Sequence, residues 1–244
     1  MNPLTSIIMP VYNVEKYVGV ALESVRIQRN VSLKDLEVVV VDDGSTDKTF
    51  QVVGQYMENH PELPIRTFSN DGNKGAATTR NTAMEQARGD FFVLLDGDDV
   101  LHRDCVSRCM QAYEDPSVGF VYSDHACIGP NVGLNVGEGE IFKVKRKPDF
   151  DMERAINGNY VGHVKSVRAS ESLPFDVSFR TAEDTEWWMR LALNGVNFHH
   201  IPEILYYWRR NIESETHGRT SQRETNENHL KALEKIRSAL RRKK

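Results

Sequence analysis

Cysteine is scarce in this sequence of 244 residues. Its three cysteines, Cys105, Cys109 and Cys127, are too few and too irregularly spaced for a disulfide framework. Cys105 and Cys109 have the spacing of one helical turn, but no histidine or cysteine partners complete the pattern of a zinc site. We therefore interpret all three as reduced thiols with a structural role.

Long apolar runs are also missing. The longest, residues 38–41 and 91–95, have the length of a strand, far below the roughly 20 residues that cross a bilayer. The N-terminus lacks the basic-then-apolar order of a secretory signal peptide. These absences predict a cytoplasmic protein.

No charge of one sign dominates the sequence as a whole. The 31 basic and 35 acidic residues give a formal net charge of −4, which excludes the global basic footprint of a nucleic-acid-binding protein. With 39% hydrophobic and 27% charged residues, the composition is that of an ordinary globular protein. The charge is nevertheless uneven, because residues 219–244 carry +6 and the remainder therefore −10. The sequence predicts an acidic body with a basic tail.

Short apolar runs alternate with amphipathic segments in the first part of the chain. The predicted strands cover residues 6–9, 36–41, 65–68 and 91–95, and the predicted helices cover 14–25, a segment from about 47, and 76–87. Asn13 is the expected N-cap of the first helix. This alternation predicts an α/β fold with a Rossmann-like, mainly parallel central sheet flanked by helices.

The second part of the chain is less regular. Residues 129–150 are rich in glycine and lysine and predict a mobile loop or a small hairpin. The other predicted elements are a strand at 118–123, a helix near 152–157, a helix containing Trp187 and Trp188, a strand at 198–208 and a final amphipathic helix from about Leu230. The polar residues 212–223 are expected to be flexible, and both irregular segments are candidate lids.

The acidic run Asp96-Gly97-Asp98-Asp99 directly follows a predicted strand. Three carboxylates so close together repel one another unless a cation neutralises them. Hard oxygen ligands of this kind suit Mg²⁺ or Mn²⁺ held together with a diphosphate, and Gly97 would let a ligand approach the backbone closely. The alternative is a solvated acidic turn in which Asp99 caps a helix.

Further polar clusters follow the other predicted strands. A carboxylate of Asp42-Asp43-Gly44-Ser45 can accept a hydrogen bond from a nucleobase, although Ser45 or Asp47 capping the next helix would also explain the cluster. Tyr12 can stack on a base or simply pack. Gly75 and Arg80 lie near a helix start, where N–H groups and a guanidinium can meet phosphate. Because ligands of open α/β sheets bind beyond the carboxyl ends of the strands, these clusters are expected to converge on one crevice.

Glu183 and Asp184 precede the pair Trp187-Trp188. A carboxylate beside aromatic walls can accept a proton from a sugar hydroxyl. The alternative is a carboxylate pair stabilised by the dipole at a helix N-terminus, with the tryptophans in the core.

Taken in order, these motifs resemble those of the family 2 glycosyltransferases of the GT-A fold, of the non-processive bacterial type. The resemblance covers roughly residues 4–210 and rests on Pro10-Val11-Tyr12-Asn13, Val41-Asp42-Asp43-Gly44-Ser45, Gly75 with Arg80-Asn81, Asp96-Gly97-Asp98-Asp99 and Glu183-Asp184. It implies a single GT-A domain over residues 1–244. Within it, 1–103 form the nucleotide-sugar-binding half, 104–218 the acceptor half and 219–244 a basic C-terminal helix.

The resemblance also implies roles for individual residues. In similar enzymes, the positions that match Pro10, Tyr12 and Asn13 line the nucleotide pocket. The position that matches Asp43 contacts the base. The positions that match Gly75 and Arg80 lie near the diphosphate. Asp96 and Asp98, on either side of Gly97, match the DXD pair that contacts the ribose and the metal, with Asp99 as a substitute ligand. Asp184, with Glu183 beside it, matches the catalytic base.

The implied enzyme is inverting and dependent on Mn²⁺ or Mg²⁺. Its expected donor is a nucleotide diphosphate sugar, with a UDP-sugar as the first choice. Its expected acceptor is a hydroxyl of a glycan or of a lipid-linked molecule. Processive members carry a QxxRW motif and membrane helices, whereas Tyr207-Trp208-Arg209-Arg210 lacks that glutamine pattern, so transfer of a single sugar is expected. Where relatives often have a histidine after this segment, Asn211 stands here, and the next histidine is His217.

Two other classes of protein remain as alternatives. A sugar nucleotidyltransferase would carry a glycine-rich phosphate loop after the first strand, which Pro10-Val11-Tyr12-Asn13 is not. A non-catalytic nucleotide-sugar-binding module would not need Asp184.

The basic tail adds a hypothesis about location. Its lysines and arginines, beside Leu233 and Leu240, can contact an anionic membrane that holds a lipid-linked acceptor, which would make the protein peripheral at the inner face of the membrane. The alternative is a helix packed on the domain with a solvated charged end.

Overall fold

The computed structural model describes residues 4–157, 161–210 and 222–243. Up to residue 94, strands and helices alternate as the sequence predicts, and a short strand and a helix follow before residue 113. These elements are β1 (Thr5–Val11), α1 (Val18–Arg26), β2 (Leu36–Asp42), α2 (Thr49–Asn59), β3 (Ile65–Ser69), α3 (Ala76–Gln86), β4 (Phe91–Leu94), β5 (Val100–Leu101) and α4 (Cys105–Ala112).

The remaining elements include two long strands and a long final helix. They are β6 (Phe120–Ile128), β7 (Ile141–Lys145), α5 (Met152–Ala155), β8 (Lys165–Arg168), α6 (Glu183–Leu193), β9 (Phe198–Arg209) and α7 (Gln222–Lys243). Three short 3₁₀ turns, Leu33–Asp35, Glu138–Glu140 and Ala169–Glu171, join neighbouring elements. Residues 129–150 contain one strand, β7, which pairs antiparallel with β6 outside the segment, so the predicted hairpin is only partly present. Most of the segment 212–223 lies outside the described residues.

One nine-stranded sheet runs through the described residues. Its order is β3-β2-β1-β4-β8-β6-β9-β5, and β7 pairs with β6 off this path. The wing β3-β2-β1-β4 is parallel throughout, as predicted. The other wing has mixed directions, because β8 is antiparallel to both β4 and β6, and β5 is antiparallel to β9.

The strand β9 is irregular for a local reason. It pairs with β6 in parallel, but the register shifts where Ser123 faces Ile201 and Asp124 faces Ile204. Pro202 lies in that gap, and a proline cannot donate a hydrogen bond to the ladder. The sequence therefore encodes the bulge, and the two halves of β9 continue the same sheet.

Apolar residues cover both faces of the sheet. Val38 and Val40 of β2 point into one cluster with Leu22 of α1, while Val39 and Val41 point into a second cluster with Trp187 of α6. This two-sided burial is what the continuous β-branched run predicts. The three cysteines are buried and free, which confirms their reading as reduced structural thiols.

The expected N-cap of α1 is wrong. The helix begins at Val18, five residues beyond Asn13. Asn13 adopts a positive φ of 51°, and its side-chain oxygen accepts a hydrogen bond from the Thr46 N–H at 2.8 Å. The residue therefore ties the end of β1 to the loop after β2. The N-cap position of α2 is Lys48, not the expected Ser45 or Asp47, although the Asp47 carboxylate one residue earlier accepts the N–H of Thr49 at 2.9 Å.

The final helix packs on the domain through its apolar face. Leu233 and Ile236 are almost fully buried, and Leu240 packs against the same cluster. The amine of Lys235 lies 2.7 Å from carboxylate oxygens of both Asp176 and Glu186. Within the described residues, no helix combines the length and the apolar character that crossing a bilayer requires.

Candidate active site

A cavity of about 580 Å³ opens at the carboxyl ends of β1, β2 and β4. The sequence-predicted site residues that line it are Pro10, Tyr12, Asn13, Asp43, Arg80, Asp96, Gly97, Asp98, Glu183 and Asp184. Gly75 does not line it, and lies one residue before Ala76, which does. The expected convergence of the strand-end clusters is therefore observed.

The loop after β4 is pressed against the end of β1. A Cβ atom at Gly97 would lie 2.7 Å from Cγ1 of Val11 and 3.2 Å from Cγ2 of Val14. Such contacts are closer than packed carbon atoms tolerate. The Cβ side of Gly97 is thus occupied by the protein itself, and the close approach of a ligand to its backbone in the cavity stays a prediction.

Asp99 fixes this loop to β9. It is 1% exposed, and its two oxygens accept hydrogen bonds from the Tyr206 hydroxyl at 2.6 Å and from the Arg209 N–H at 2.7 Å. The Arg209 side chain also donates to the carbonyl of Asp98 at 2.6 Å. Asp99 therefore neither caps a helix nor offers a free oxygen to a metal.

Asp96 and Asp98 remain as candidate metal ligands. Burial and the neighbouring charge of Asp96 raise the pKa of the Asp98 carboxyl to about 7, and among the described residues none forms an ion pair with it. The described residues contain no group of three acidic, histidine or cysteine side chains arranged around a metal position. Two carboxylates fit Mg²⁺ or Mn²⁺, because these ions are commonly held by one or two carboxylates and substrate phosphates.

Asp43 organises the turn before α3. Its carboxylate accepts the N–H groups of Lys74 and Gly75, both at 2.9 Å, and the side-chain amide of Asn70 at 2.7 Å. Gly75 has a φ of 89°, a conformation that L-residues rarely adopt, and its N–H points at Asp43. Gly75 therefore acts on the cavity through Asp43.

Arg80 joins the two ends of the cavity. Its guanidinium lies 2.7 Å from Asp96 and 2.5 Å from Glu183, and the residue is 7% exposed. Its Nε atom is buried without a hydrogen-bond partner among the described residues. The structure therefore gives Arg80 a pair of carboxylate partners, and its expected contact with a diphosphate stays a prediction.

Glu183 and Asp184 open α6 and point into the cavity. The preceding residue, Ala182, has a left-handed backbone with φ of 59°, which costs energy for a residue with a Cβ and is often found at functional sites. Glu183 pairs with Arg80, whereas Asp184 pairs with Lys165 at 2.9 Å. The two carboxylates thus have different partners, and their role as the catalytic base stays a prediction.

The pKa values of these two carboxyls move in opposite directions. Burial raises the pKa of Glu183 despite the charge of Arg80. Burial would also raise the pKa of Asp184, but Lys165 and Arg80 outweigh it and lower the value to about 2. Asp184 is therefore ionised at neutral pH.

The tryptophans after these carboxylates do not form walls of the cavity. Trp187 and Trp188 are fully buried in the apolar cluster beneath α6, and the Trp187 indole donates to the Leu173 carbonyl at 2.6 Å. The expectation of aromatic walls beside the base is wrong, and the alternative of core tryptophans is correct.

Several lining residues were not found from the sequence. They are His125, Lys145, Lys147, His163, Lys165, Arg180, Tyr206, Arg209, Asn226 and His229. The alternation Lys143-Val144-Lys145-Arg146-Lys147 was a visible signal, since residues two apart on a strand share a face. No local pattern marks His229, which reaches the cavity only because α7 packs beside α6.

Comparison with known proteins agrees with this geometry. The model of the glycosyl transferase family 2 matches residues 6–170, which is more than half of the chain. The chain belongs to this family.

Family 2 relatives of known name are considerably longer than this chain. Chondroitin synthase of Escherichia coli is 31% identical over 208 residues, which cover 84% of this chain and 28% of that protein. Hyaluronan synthase of Pasteurella multocida is 29% identical over 208 residues, which cover 84% of this chain and 20% of that protein. The chain therefore spans under a third of the length of these relatives.

Two solved structures show the same GT-A-like fold. S. aureus TarS 1-349 in complex with UDP-GlcNAc has a TM-score of 0.73 and 25% identity, covering 92% of this chain and 64% of that one. The mannosyltransferase PcManGT from Pyrobaculum calidifontis, in complex with GDP-Man and Mn²⁺, has a TM-score of 0.70 and 23% identity, covering 99% and 65%. The predicted fold class is confirmed.

Proposed function

We propose that this family 2 chain is an inverting, metal-dependent glycosyltransferase. It transfers one sugar from a nucleotide diphosphate sugar, with UDP-sugars as the first choice, to a hydroxyl of a glycan or lipid-linked acceptor. The observation that carries the proposal is a single cavity lined by the acidic loop of Asp96 and Asp98 and by the ionised carboxylate of Asp184. The likeness to TarS, which binds UDP-GlcNAc, supports a donor of this class.

In this proposal the donor lies against the ends of β1, β2 and β4. Tyr12, between Pro10 and Asn13, offers a ring face to the base, and Asp43 offers an acceptor to a base N–H. Asp43 is held in place by three donors of its own chain, so it presents its remaining lone pairs in a fixed direction. Asp96 contacts the ribose.

Asp184 receives the proton in the transfer step. The acceptor oxygen forms a bond to the anomeric carbon, the bond from that carbon to the diphosphate breaks, and the leaving diphosphate takes the electron pair. Because a carboxylate with a pKa of about 2 is a weak base, the proton moves to Asp184 as the new bond forms and the hydroxyl becomes strongly acidic. A single displacement of this kind inverts the anomeric configuration.

The leaving diphosphate carries growing negative charge that must be stabilised. Asp98, with Asp96, would hold Mn²⁺ or Mg²⁺, and such an ion supplies a Lewis acid to the diphosphate when it is bound. The half-buried Asp98 carboxylate, which has no ion-pair partner among the described residues, supports this assignment because a cation would neutralise it. Arg80 keeps Asp96 and Glu183 in position for the same site.

The acceptor half and the basic tail stay proposals. The proposed single GT-A domain is divided into residues 1–103, 104–218 and 219–244. Residues 211–221, with His217, lie outside the described part of the chain. Membrane contact through α7 can use its charged end and the exposed Leu230, because the domain covers Leu233 and most of Leu240. Pelleting with anionic vesicles tests it, with Arg241→Gln/Arg242→Gln as the variant. Equal pelleting of both proteins would exclude contact through those arginines.

A thermal-shift panel of nucleotide sugars tests the proposed function without a known acceptor. Ligand binding to the native state raises the melting temperature by mass action. We expect one UDP- or GDP-sugar to stabilise the protein in the presence of Mn²⁺, and we expect Asp98→Asn to abolish the effect of Mn²⁺. Asp115→Asn is the matched control, because Asp115 is exposed and lies outside the cavity.

Two results of this panel would contradict the proposal. If no nucleotide sugar shifts the melting temperature, the chain is not a donor-binding enzyme by itself. If Asp98→Asn responds to Mn²⁺ and donor as the unaltered protein does, the metal assignment is wrong.

A further inference from the structure

Three lysines line one side of the cavity, on β7, just after it and on β8. They are Lys145, Lys147 and Lys165. Lys165 is neutralised by Asp184 at 2.9 Å. Within the described residues, neither Lys145 nor Lys147 has a carboxylate oxygen within ion-pair distance of its amine. Lys145 instead lies over the ring of Trp208, 5.6 Å from the centroid.

The position of Lys147 is fixed by its surroundings. The backbone N–H of Lys147 donates to the Asp124 carboxylate at 2.7 Å. Its aliphatic stem packs against Gly162, since a Cβ atom added there would lie 3.0 Å from Cγ of Lys147. Burial and the charges of Lys165 and Lys145 lower the pKa of Lys147 to about 8. The amine is therefore held, half-buried, beside two like charges, which the carboxylates of Asp124 and Asp184 offset only in part.

His125 provides a second, independent observation that points to a ligand at the same place. It is 4% exposed, it lines the cavity, and its Nδ1 atom is buried with no hydrogen-bond partner among the described residues. Burial, Lys147 and Lys145 lower the pKa of His125 to about 3. A neutral imidazole can still donate one hydrogen bond, and a buried polar atom without a partner is costly.

We propose that Lys145, Lys147 and His125, together called the basic subsite, bind an anionic group of the acceptor, either a phosphate or a carboxylate. The inference rests on the glycosyltransferase function proposed above. An anion would offset the repulsion between the two lysines and accept a hydrogen bond from the imidazole. The subsite thus selects charged acceptors over neutral ones.

The location of the basic subsite favours the acceptor over the donor. The residues proposed for the base and the diphosphate follow β1, β2 and β4, whereas the basic subsite belongs to β6 and to the segment of β7. Lys165 stands between them and contacts Asp184, the carboxylate that faces the attacking hydroxyl. An anion at the basic subsite would therefore hold the acceptor on the side from which it attacks.

Calorimetric titration with inorganic phosphate tests the site directly. The protein is first saturated with UDP and Mn²⁺, so that a phosphate site of the donor is already filled. We expect phosphate to bind, and its affinity to fall at least tenfold in Lys145→Gln/Lys147→Gln. Lys143→Gln is the matched control, because Lys143 is on the same strand, is exposed and does not line the cavity. Its affinity for phosphate should stay within twofold of the unaltered protein.

A second arm distinguishes the acceptor from the donor as the source of the anion. We expect the affinities for UDP, UDP-glucose and UDP-glucuronic acid to stay within twofold in Lys145→Gln/Lys147→Gln. A loss of UDP affinity would assign the basic subsite to the donor diphosphate, and a selective loss for UDP-glucuronic acid would assign it to the donor sugar. Either result overturns the proposal.

Two further outcomes separate this inference from the proposed function. Equal phosphate affinity in the unaltered protein and in Lys145→Gln/Lys147→Gln, with both proteins folded by their melting curves, overturns the basic subsite alone. Failure of the unaltered protein to bind any nucleotide sugar overturns the proposed function and the acceptor assignment. Phosphate titrated without UDP then shows whether the three residues bind an anion.

Discussion

The two wings of the sheet differ in order and in charge. The wing β3-β2-β1-β4 is parallel, and its functional side chains sit on loops that directly follow strands, with the acidic pair Asp96 and Asp98 among them. The wing β8-β6-β9-β5 is mixed, and it brings lysines and histidines to the cavity from strands far apart in sequence. The first wing therefore has the order of a nucleotide-binding α/β sheet, whereas the second depends on antiparallel pairing between distant segments.

In the described part of the chain, three ion pairs form a network at the cavity, and the two made by Arg80 join the wings. Arg80 of α3 links Asp96, after β4, to Glu183 of α6, and Lys165 of β8 holds Asp184. The acidic side and the proposed base are therefore positioned by the same network. Variants that remove one member at a time show whether the wings act separately.

The largest expected effect is on turnover, through Asp184→Asn. An amide cannot accept the proton, and general-base catalysis is worth about 10²- to 10⁴-fold, so we expect kcat to fall roughly a thousandfold. Donor affinity should not change, because the donor contacts lie on the other wing. Asp115→Asn is the control, since Asp115 is exposed and outside the cavity. Near-normal turnover in Asp184→Asn would refute the base assignment.

Arg80→Met tests the link between the wings. Removal of the guanidinium leaves Asp96 and Glu183 without their cation, and breaking a buried pair in this way costs about 3 kcal/mol or more. We expect urea denaturation to show that loss, and Arg80→Met/Glu183→Gln to recover part of it. Arg108→Met, which breaks an exposed pair with Glu203, should cost less than about 1 kcal/mol. Equal losses in the two single variants would mean that the wings are not coupled through Arg80.

Gly97→Ala tests the packing within the parallel wing. The added methyl would meet Val11 and Val14, and overpacking of this kind costs about 1–3 kcal/mol. The displaced loop should also weaken donor binding in the thermal-shift assay. A Cβ at Gly133 meets nothing within 4 Å, so Gly133→Ala is the matched control. If the double variant Gly97→Ala/Val11→Ala recovers no stability, the clash with Val11 is not the cause.

The smallest expected effect is on the pH dependence of folding stability, through His125 of the mixed wing. The pKa of His125 is lowered to about 3, so the unfolded chain, with an ordinary pKa of about 6.5, binds the proton more readily. Stability is fully present above pH 6.5 and falls as the pH drops, by at most about 1.4 kcal/mol per unit for this group. Denaturation of His125→Gln between pH 6 and 4 should show a shallower fall. An unchanged slope, matching that of the surface variant His199→Gln, would contradict the burial argument.

The parallel wing could be predicted closely from the sequence. The β-branched run of β2, the stripe of α1 and the acidic run after β4 are local patterns, and each specifies its own element or loop. Even there, the role of Asn13 was misassigned, because its side chain bonds to the loop after β2. The mixed wing gave few such signals, since its lysines and histidines become a site only through strand pairing.

Residue order by itself determined the strand and helix pattern, the family and the set of carboxylates at the strand ends. Hydrophobic periodicity and short motifs are local properties, and they do not depend on the rest of the chain. Tertiary structure decided how the charges are partnered. Arg80 meets Glu183, Lys165 meets Asp184, and His229 reaches the cavity only when distant segments pack together. The pKa of each group then follows from the burial and the neighbours that this packing supplies.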